Sequence, residues 1–175
     1  MPEHSDAEFR RLRAAAARKY RPKQVRLLLV AEAPPCSQER YFHFEEVQAH
    51  DWLFRYVCTG LFGETPSRDN KGEFLARLRD SGVFLIDLSV DPLGDNPTPP
   101  MLRSRVPDIA DRCRECSPGA IILIKSSVYD LCYEVLAAAG LPVIDERMPF
   151  PASGQQKRFL EAFGRALSIA GWNDR

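Results

Sequence analysis

The sequence predicts an α/β protein, a three-layer α/β/α sandwich on a four-stranded parallel sheet. Three observations predict it. Continuous apolar runs rich in branched residues occupy 25–31 (VRLLLVA), 83–90 (VFLIDLSV) and 120–125 (AIILIK), and such runs read as strands buried on both faces. Stretches with apolar residues at helical spacing lie between them. Strand alternating with helix implies right-handed crossovers, hence parallel neighbours with helices on both faces of the sheet.

Residues 5–20 open the chain as a helix within an N-terminal segment 1–22. Ser5 is placed to cap it, Glu8 three residues on completes a capping box, and Pro22 ends it. The first strand, 25–31, stops at Glu32 and Pro34-Pro35, because proline brings no N–H to a ladder. Val47, Leu53, Phe54, Val57 and Leu61 keep helical spacing and predict a helix over 44–62, stopped by Gly63 and Pro66. A helix over 69–80, capped by Asp69, ends near Gly82. After the second strand comes 91–100 (DPLGDNPTPP), whose prolines, glycine and asparagine fit neither helix nor strand. Residues 101–116 read as helical, with Pro107 as the alternative start, and the third strand follows Ser117-Pro118-Gly119. Ser126 or Ser127 then caps a helix through Ala139, with Gly140 after it. A short fourth strand, 142–145 (PVID), leads to a last helix that starts around Gly154 and runs to Ala170.

At 175 residues, 45% hydrophobic and 27% charged, the chain suits one soluble domain, 1–175, with a sizeable core. No apolar run reaches a membrane span, and the N-terminus lacks the hydrophobic segment of a signal peptide. Both predict a cytoplasmic protein with no membrane partner. The net charge is zero and favours no particular partner. Residues 1–26 nevertheless hold eight Lys/Arg against three acids, a surplus that either touches a phosphate backbone or forms a solvated helix face. Five cysteines, an odd number, predict reduced thiols. Cys113 and Cys116 form a CxxC, with Cys132 beyond, but no second CxxC or CxxH offers a fourth ligand. Buried structural thiols are therefore expected rather than a metal centre, and no cofactor is implied.

A parallel sheet collects the loops that follow its strands along one edge, where open α/β folds place their ligand crevice. Here that edge gathers 32–44, 87–100, 125–127 and 145–156. Glu32 ends the first strand and Asp87 interrupts the second. A carboxylate so placed is desolvated, which raises its pKa and marks a working site, unless it only caps loop amides. Tyr41, Phe42 and Phe44 are placed to stack on a flat ring or to plug the core. Strand-like alternation would send Phe42 and Phe44 to one side and Tyr41 and His43 to the other. The segment 149–159 (PFPASGQQKRF) is a rigid Pro-x-Pro followed by a helix start, whose free amides favour an anion. Ser153 and Gly154 permit close approach, and Gln155, Gln156, Lys157 and Arg158 add donors; alternatively Ser153 is a simple N-cap.

Taken in order, AEAPP at 31–35, Phe44, VFLIDLSVDPLGDNP at 83–97 and MPFPASGQQ at 148–156 resemble the motifs of the uracil-DNA glycosylase superfamily. The likeness is to its thermophilic-type branch, with a GEAPG-like first motif, and spans about 25–160. It implies that superfamily's parallel sheet, in strand order 2-1-3-4, and a role in DNA base excision. It carries Glu32, Ala33 and Pro34 onto the first motif and Phe44 onto a Phe that stacks on uracil. Asp87 falls near the Asn that reads the uracil edge. Phe150, Pro151 and Ser153 fall on a His-Pro-Ser motif whose loop presses on the minor groove. The sequence departs from the pattern at Ala31, Pro35, Asp87 and Phe150. The family's histidine, which stabilises the departing base, is missing here. An aspartate repels uracil O4 and accepts from an amino group instead. The N-terminal pair of the branch's iron–sulfur cysteines is missing too.

The resulting expectation is a monomeric DNA glycosylase-like protein acting on a damaged base in double- or single-stranded DNA. Glu32 would position or activate water, Asp87 read the base, and Phe42 or Phe44 stack on it. The 151–158 loop would grip phosphates, with amides near Gly154 helping the leaving base. Two alternatives stand beside it. One is a catalytically weak module on the same fold that binds nucleic acid or a nucleotide; the other is a thiol enzyme using Cys36 beside His43.

Overall fold

The computed structural model describes residues 5–37, 40–47 and 51–172. Three parallel strands, β1 (Leu27–Ala31), β2 (Val83–Asp87) and β3 (Ala120–Leu123), form a sheet in the order β2-β1-β3. β1 is central and entirely buried. Its Leu29 registers with Leu85 on one side and Ile122 on the other, and Ala31 registers with Asp87.

The expected fourth strand is a single parallel bridge from Val143 to Ile121, so the sheet has three strands rather than four. Pro142 has no N–H with which to extend the ladder. Ile121 donates to the Pro142 carbonyl and Ile144 donates to Ile121, but the Val143 N–H turns back to Leu141 at 2.8 Å.

The helices are α1 (Asp6–Lys19), α2 (Trp52–Phe62), α3 (Lys71–Asp80), α4 (Pro99–Arg103), α5 (Ile109–Cys116), α6 (Ser126–Ala138) and α7 (Gln156–Ile169). Strand alternation sorts the sheet's side chains onto two faces. Leu27, Leu29, Val83, Leu85 and Ile122 join a core with Phe54 and Val57 of α2, Leu75 and Leu78 of α3, and Phe159 and Phe163 of α7. Leu28, Val30, Phe84, Ile121 and Leu123 face the other way, against Ile109 and Cys113 of α5 and Val128, Cys132 and Leu136 of α6. Helices therefore cover both faces of the sheet. Cys113, Cys116 and Cys132 are free thiols within that second core. Close approach of α2 and α7 depends on Gly60, where a Cβ would meet the buried Phe163 ring at 2.4 Å.

Most helix starts differ from expectation for local reasons. Ser5 does cap α1, accepting from the Glu8 N–H at 3.3 Å. α2 begins at Trp52 rather than near Phe44, because Phe44 donates to the Tyr41 carbonyl at 3.1 Å in a tight turn. Residues 48–50 of that expected helix, like 1–4 of the N-terminal segment and 38–39 of the motif loop, lie outside the described residues. Asn70 rather than Asp69 precedes α3, its side chain accepting from the Ser67 N–H. Pro99-Pro100 start α4, and a 3-10 turn at Val106–Asp108 separates it from α5, so 101–116 is not one helix. Neither Ser126 nor Ser127 caps α6: Lys125 holds that position, and the two hydroxyls donate to Met148 and Glu32. α7 starts at Gln156 with Gln155 before it, so Ser153 is not its cap. Among the described residues no helix is long and apolar enough to cross a membrane.

Candidate functional site

Leu85 and Asp87 point to the same face of β2. Leu85 still belongs to the first core; Asp87, one step further, emerges where that core ends. A cleft of about 330 Å³ opens there, with Ala31, Leu85 and Asp87 among its lining residues. That volume lies at the small end of the range for small-molecule sites. Glu32, Ala33 and Pro34 line it too, with Arg40, Tyr41 and Phe42 from the same loop, Trp52 and Leu53 of α2, Lys125 and Phe150.

Asp87 is half-buried, and its carboxylate accepts no hydrogen bond among the described residues. Burial pushes its carboxyl up to about 7, against the pull of Arg112 and Arg13. Arg112 of α5 donates to the main-chain carbonyls of Asp87 and Leu88, at 2.6 and 2.9 Å. It thereby fixes the strand end and leaves the side-chain oxygens free.

Glu32 stands differently. One oxygen accepts from Lys125 Nζ at 2.7 Å and the other from Ser127 Oγ at 2.5 Å, which ties the end of β1 to the end of β3. Lys125 has φ +83 and ψ 136, a backbone conformation costing on the order of 1–3 kcal/mol for a non-glycine residue and concentrated at ligand sites.

The aromatic segment divides. Tyr41 and Phe42 line the cleft, and Phe42 also packs edge-on against Phe54 of the core. Phe44 does not reach the cleft. It packs edge-on against Tyr41 and faces a depression beside α1, lined by Ala16, Lys19 and Tyr20. The alternation expected for 41–44 fails because the segment is a turn rather than a strand. His43 is buried, and its surroundings push the imidazole down to about 3, through burial first and Lys71 second. Cys36 is exposed and lines the cleft, whereas His43 does not.

The late loop contributes one residue. Phe150 lines the cleft, while Pro151 is buried and is not part of the lining. Ser153 (φ +53) and Gly154 (φ +80) turn the chain into α7 and are exposed, as are Lys157 and Arg158. Gln155 accepts from Arg158 at 3.2 Å. Ser153, Gly154, Gln155, Lys157 and Arg158 lie outside the cleft lining.

Three groups were not singled out from the sequence. Lys71 is buried, donates to Asp51 and to the Tyr41 carbonyl at 3.2 Å, and lies 4.5 Å from the Phe54 ring centre. Burial pushes Lys71 down and Asp51 up, and their mutual attraction opposes both shifts. Its signal was helical spacing: Lys71 shares the i, i+3, i+4, i+7 face of Phe74, Leu75 and Leu78. Arg40 lines the cleft with a buried Nε that has no acceptor. Lys125 was placed at the right edge of the sheet, but its pairing with Glu32 across 93 positions left no local mark. No protein-family model matches the chain, and no curated protein shows significant similarity to it.

Proposed function

We propose that the cleft holds a nucleobase turned out of DNA and that the protein is a DNA glycosylase-like hydrolase of the N-glycosidic bond. One observation carries this reading: Glu32, Asp87 and the aromatic wall of Tyr41 and Phe42 line a single cleft at the carboxyl edge of a parallel sheet. The order of the AEAPP, VFLIDLSVDP and MPFPASGQQ segments, with its resemblance to the uracil-DNA glycosylase superfamily, supports it further. An aromatic wall stacks on the flat base. Asp87 meets its hydrogen-bonding edge. Glu32 uses two of its roughly four lone-pair positions on Lys125 and Ser127, which leaves others to orient a water. Its negative charge favours the oxocarbenium-like sugar that forms as the bond breaks. The exposed Lys157 and Arg158 reach phosphates beyond the cleft.

Duplex and single-stranded DNA carrying uracil, hypoxanthine, xanthine or an oxidised guanine, followed by alkali, tests the reading. Strand cleavage by the wild type that drops at least about a hundredfold in Glu32→Gln is expected. Equal cleavage by both, or none on any substrate, removes the catalytic claim. A second reading has its own support: the close grip of Lys125 and Ser127 on Glu32 suits a module that binds the base without chemistry. That module would bind the same DNA and release nothing.

A further inference from the structure

The cleft carries two unmet hydrogen-bonding needs of opposite kind. Asp87 offers a carboxylate that no donor among the described residues reaches, on a strand end held by Arg112. Arg40 offers a buried Nε with no acceptor among the described residues, while its charge acts on the nearby Asp51 carboxylate. Of the other polar groups there, Asp95 and Cys36 are exposed to solvent. Glu32 is held by Lys125 and Ser127, Asp51 by Lys71, and the Tyr41 hydroxyl lies 3.4 Å from His43 Nδ1. A buried polar group without its hydrogen-bond partner is costly, so an occupant that meets both needs is favoured over one that meets neither.

The two oxygens of a carboxylate accept best from two parallel N–H groups in one plane. Among the neutral nucleobases only guanine presents that edge, its N1–H beside its 2-amino group. Uracil and thymine set a carbonyl beside their N–H, while adenine and cytosine set a ring lone pair beside their amino group, and a carboxylate repels either. Guanine's opposite edge, O6 and N7, accepts hydrogen bonds and suits an arginine.

We propose that the cleft recognises a guanine-type base, Asp87 accepting from N1–H and the 2-amino group and Arg40 donating to the O6/N7 edge. Oxidised guanines that keep the N1–H and 2-amino edge meet Asp87 in the same way. The assignment rests on the reading of the cleft as a nucleobase pocket, and it is independent of hydrolysis. Two incoming donors would also offset the burial that pushes Asp87's carboxyl up to about 7.

Titration calorimetry with guanosine, inosine, adenosine and uridine tests it, using the wild type, Asp87→Asn and Arg40→Ala. Inosine lacks only the 2-amino group, so guanosine should bind at least about tenfold more tightly, the worth of one charge-assisted hydrogen bond. Asp87→Asn should erase that ratio while melting cooperatively by circular dichroism. Arg40→Ala should weaken guanosine and inosine alike, because both keep O6 and N7. Oligothymidine carrying one guanine, compared with one hypoxanthine, separates a base in DNA from a free nucleoside. A guanine preference in either form supports the assignment. A ratio near one in both forms, or a ratio that Asp87→Asn leaves intact, overturns it. Base excision without a guanine preference would sink this inference and leave the hydrolase reading standing; a preference without excision would do the reverse.

Discussion

A carboxyl group kept half-buried at the end of β2 without a donor among the described residues is held most cheaply when protonated, and burial accordingly pushes Asp87 up to about 7 from 3.8. Burial sets that direction; Arg112 on α5 and Arg13 on α1 pull against it, and the neighbouring Tyr41 phenol is itself pushed well above its ordinary value. The sign for stability follows from linkage. Between about pH 4 and 7 the folded chain keeps a proton that the unfolded chain has lost, so stability falls as pH rises through that window. Asparagine does not titrate. Asp87→Asn should therefore gain stability over the wild type as pH rises, by a few kcal/mol at pH 8, with the gain fading toward pH 4. Urea unfolding of both proteins at pH 4, 6 and 8 measures it. His43 is pushed to about 3 and acts in the opposite sense below its ordinary value, but it is present in both proteins and cancels from the difference. A gap that does not change with pH would mean that Asp87 is not desolvated. A residue that weakens its own fold at neutral pH is what a site, rather than a core, retains.

Between elements, the pair Lys71–Asp51 joins the first residue of α3 to the residue preceding α2, and Lys71 also holds the Tyr41 carbonyl. Three segments around the cleft wall meet at one ammonium group that is 1% exposed. Lys71→Met should strand the Asp51 carboxylate and destabilise the protein by about 3–5 kcal/mol, whereas Lys71→Met with Asp51→Leu should recover much of the loss. A double-mutant cycle by thermal melting checks this, and a pair of additive losses would mean that the two residues do not act together. Legibility at this scale tracks how local each cause is. The three strands were visible because continuous apolar runs betray two-sided burial, and Ser5 was visible because its partner is three residues away. Pro142 was the visible warning against a full fourth strand. Phe44 was misplaced because a turn at 41–44 replaces the two-residue period that would have paired it with Phe42. The Glu32–Lys125–Ser127 cluster and the burial of the Arg40 Nε arise from contacts between distant segments, which leave no periodicity to read.

Across the whole molecule the charges sum to zero, so any attraction to DNA has to come from where they sit. Much of the N-terminal surplus is spent internally: Arg10 and Arg13 meet Asp91, and Lys19 meets Glu45. At the start of α7, by contrast, Lys157 lies 4.0 Å from Glu161 and is 90% exposed, and Arg158 donates to the neutral Gln155 and forms no ion pair among the described residues. These two exposed cations are placed to neutralise phosphates near the late loop. Each phosphate contact to a single strand contributes roughly −0.7 to the slope of log K against log salt. Replacing both by Ala should therefore flatten the slope by about 1.4 for oligonucleotides of any sequence. Asp87→Asn should shift base preference and leave the slope alone, because it touches no phosphate. Fluorescence anisotropy between 50 and 200 mM salt separates the two effects. An unchanged slope in the Lys157→Ala, Arg158→Ala double variant would detach the α7 start from the DNA interface, and binding would then rest on the cleft alone.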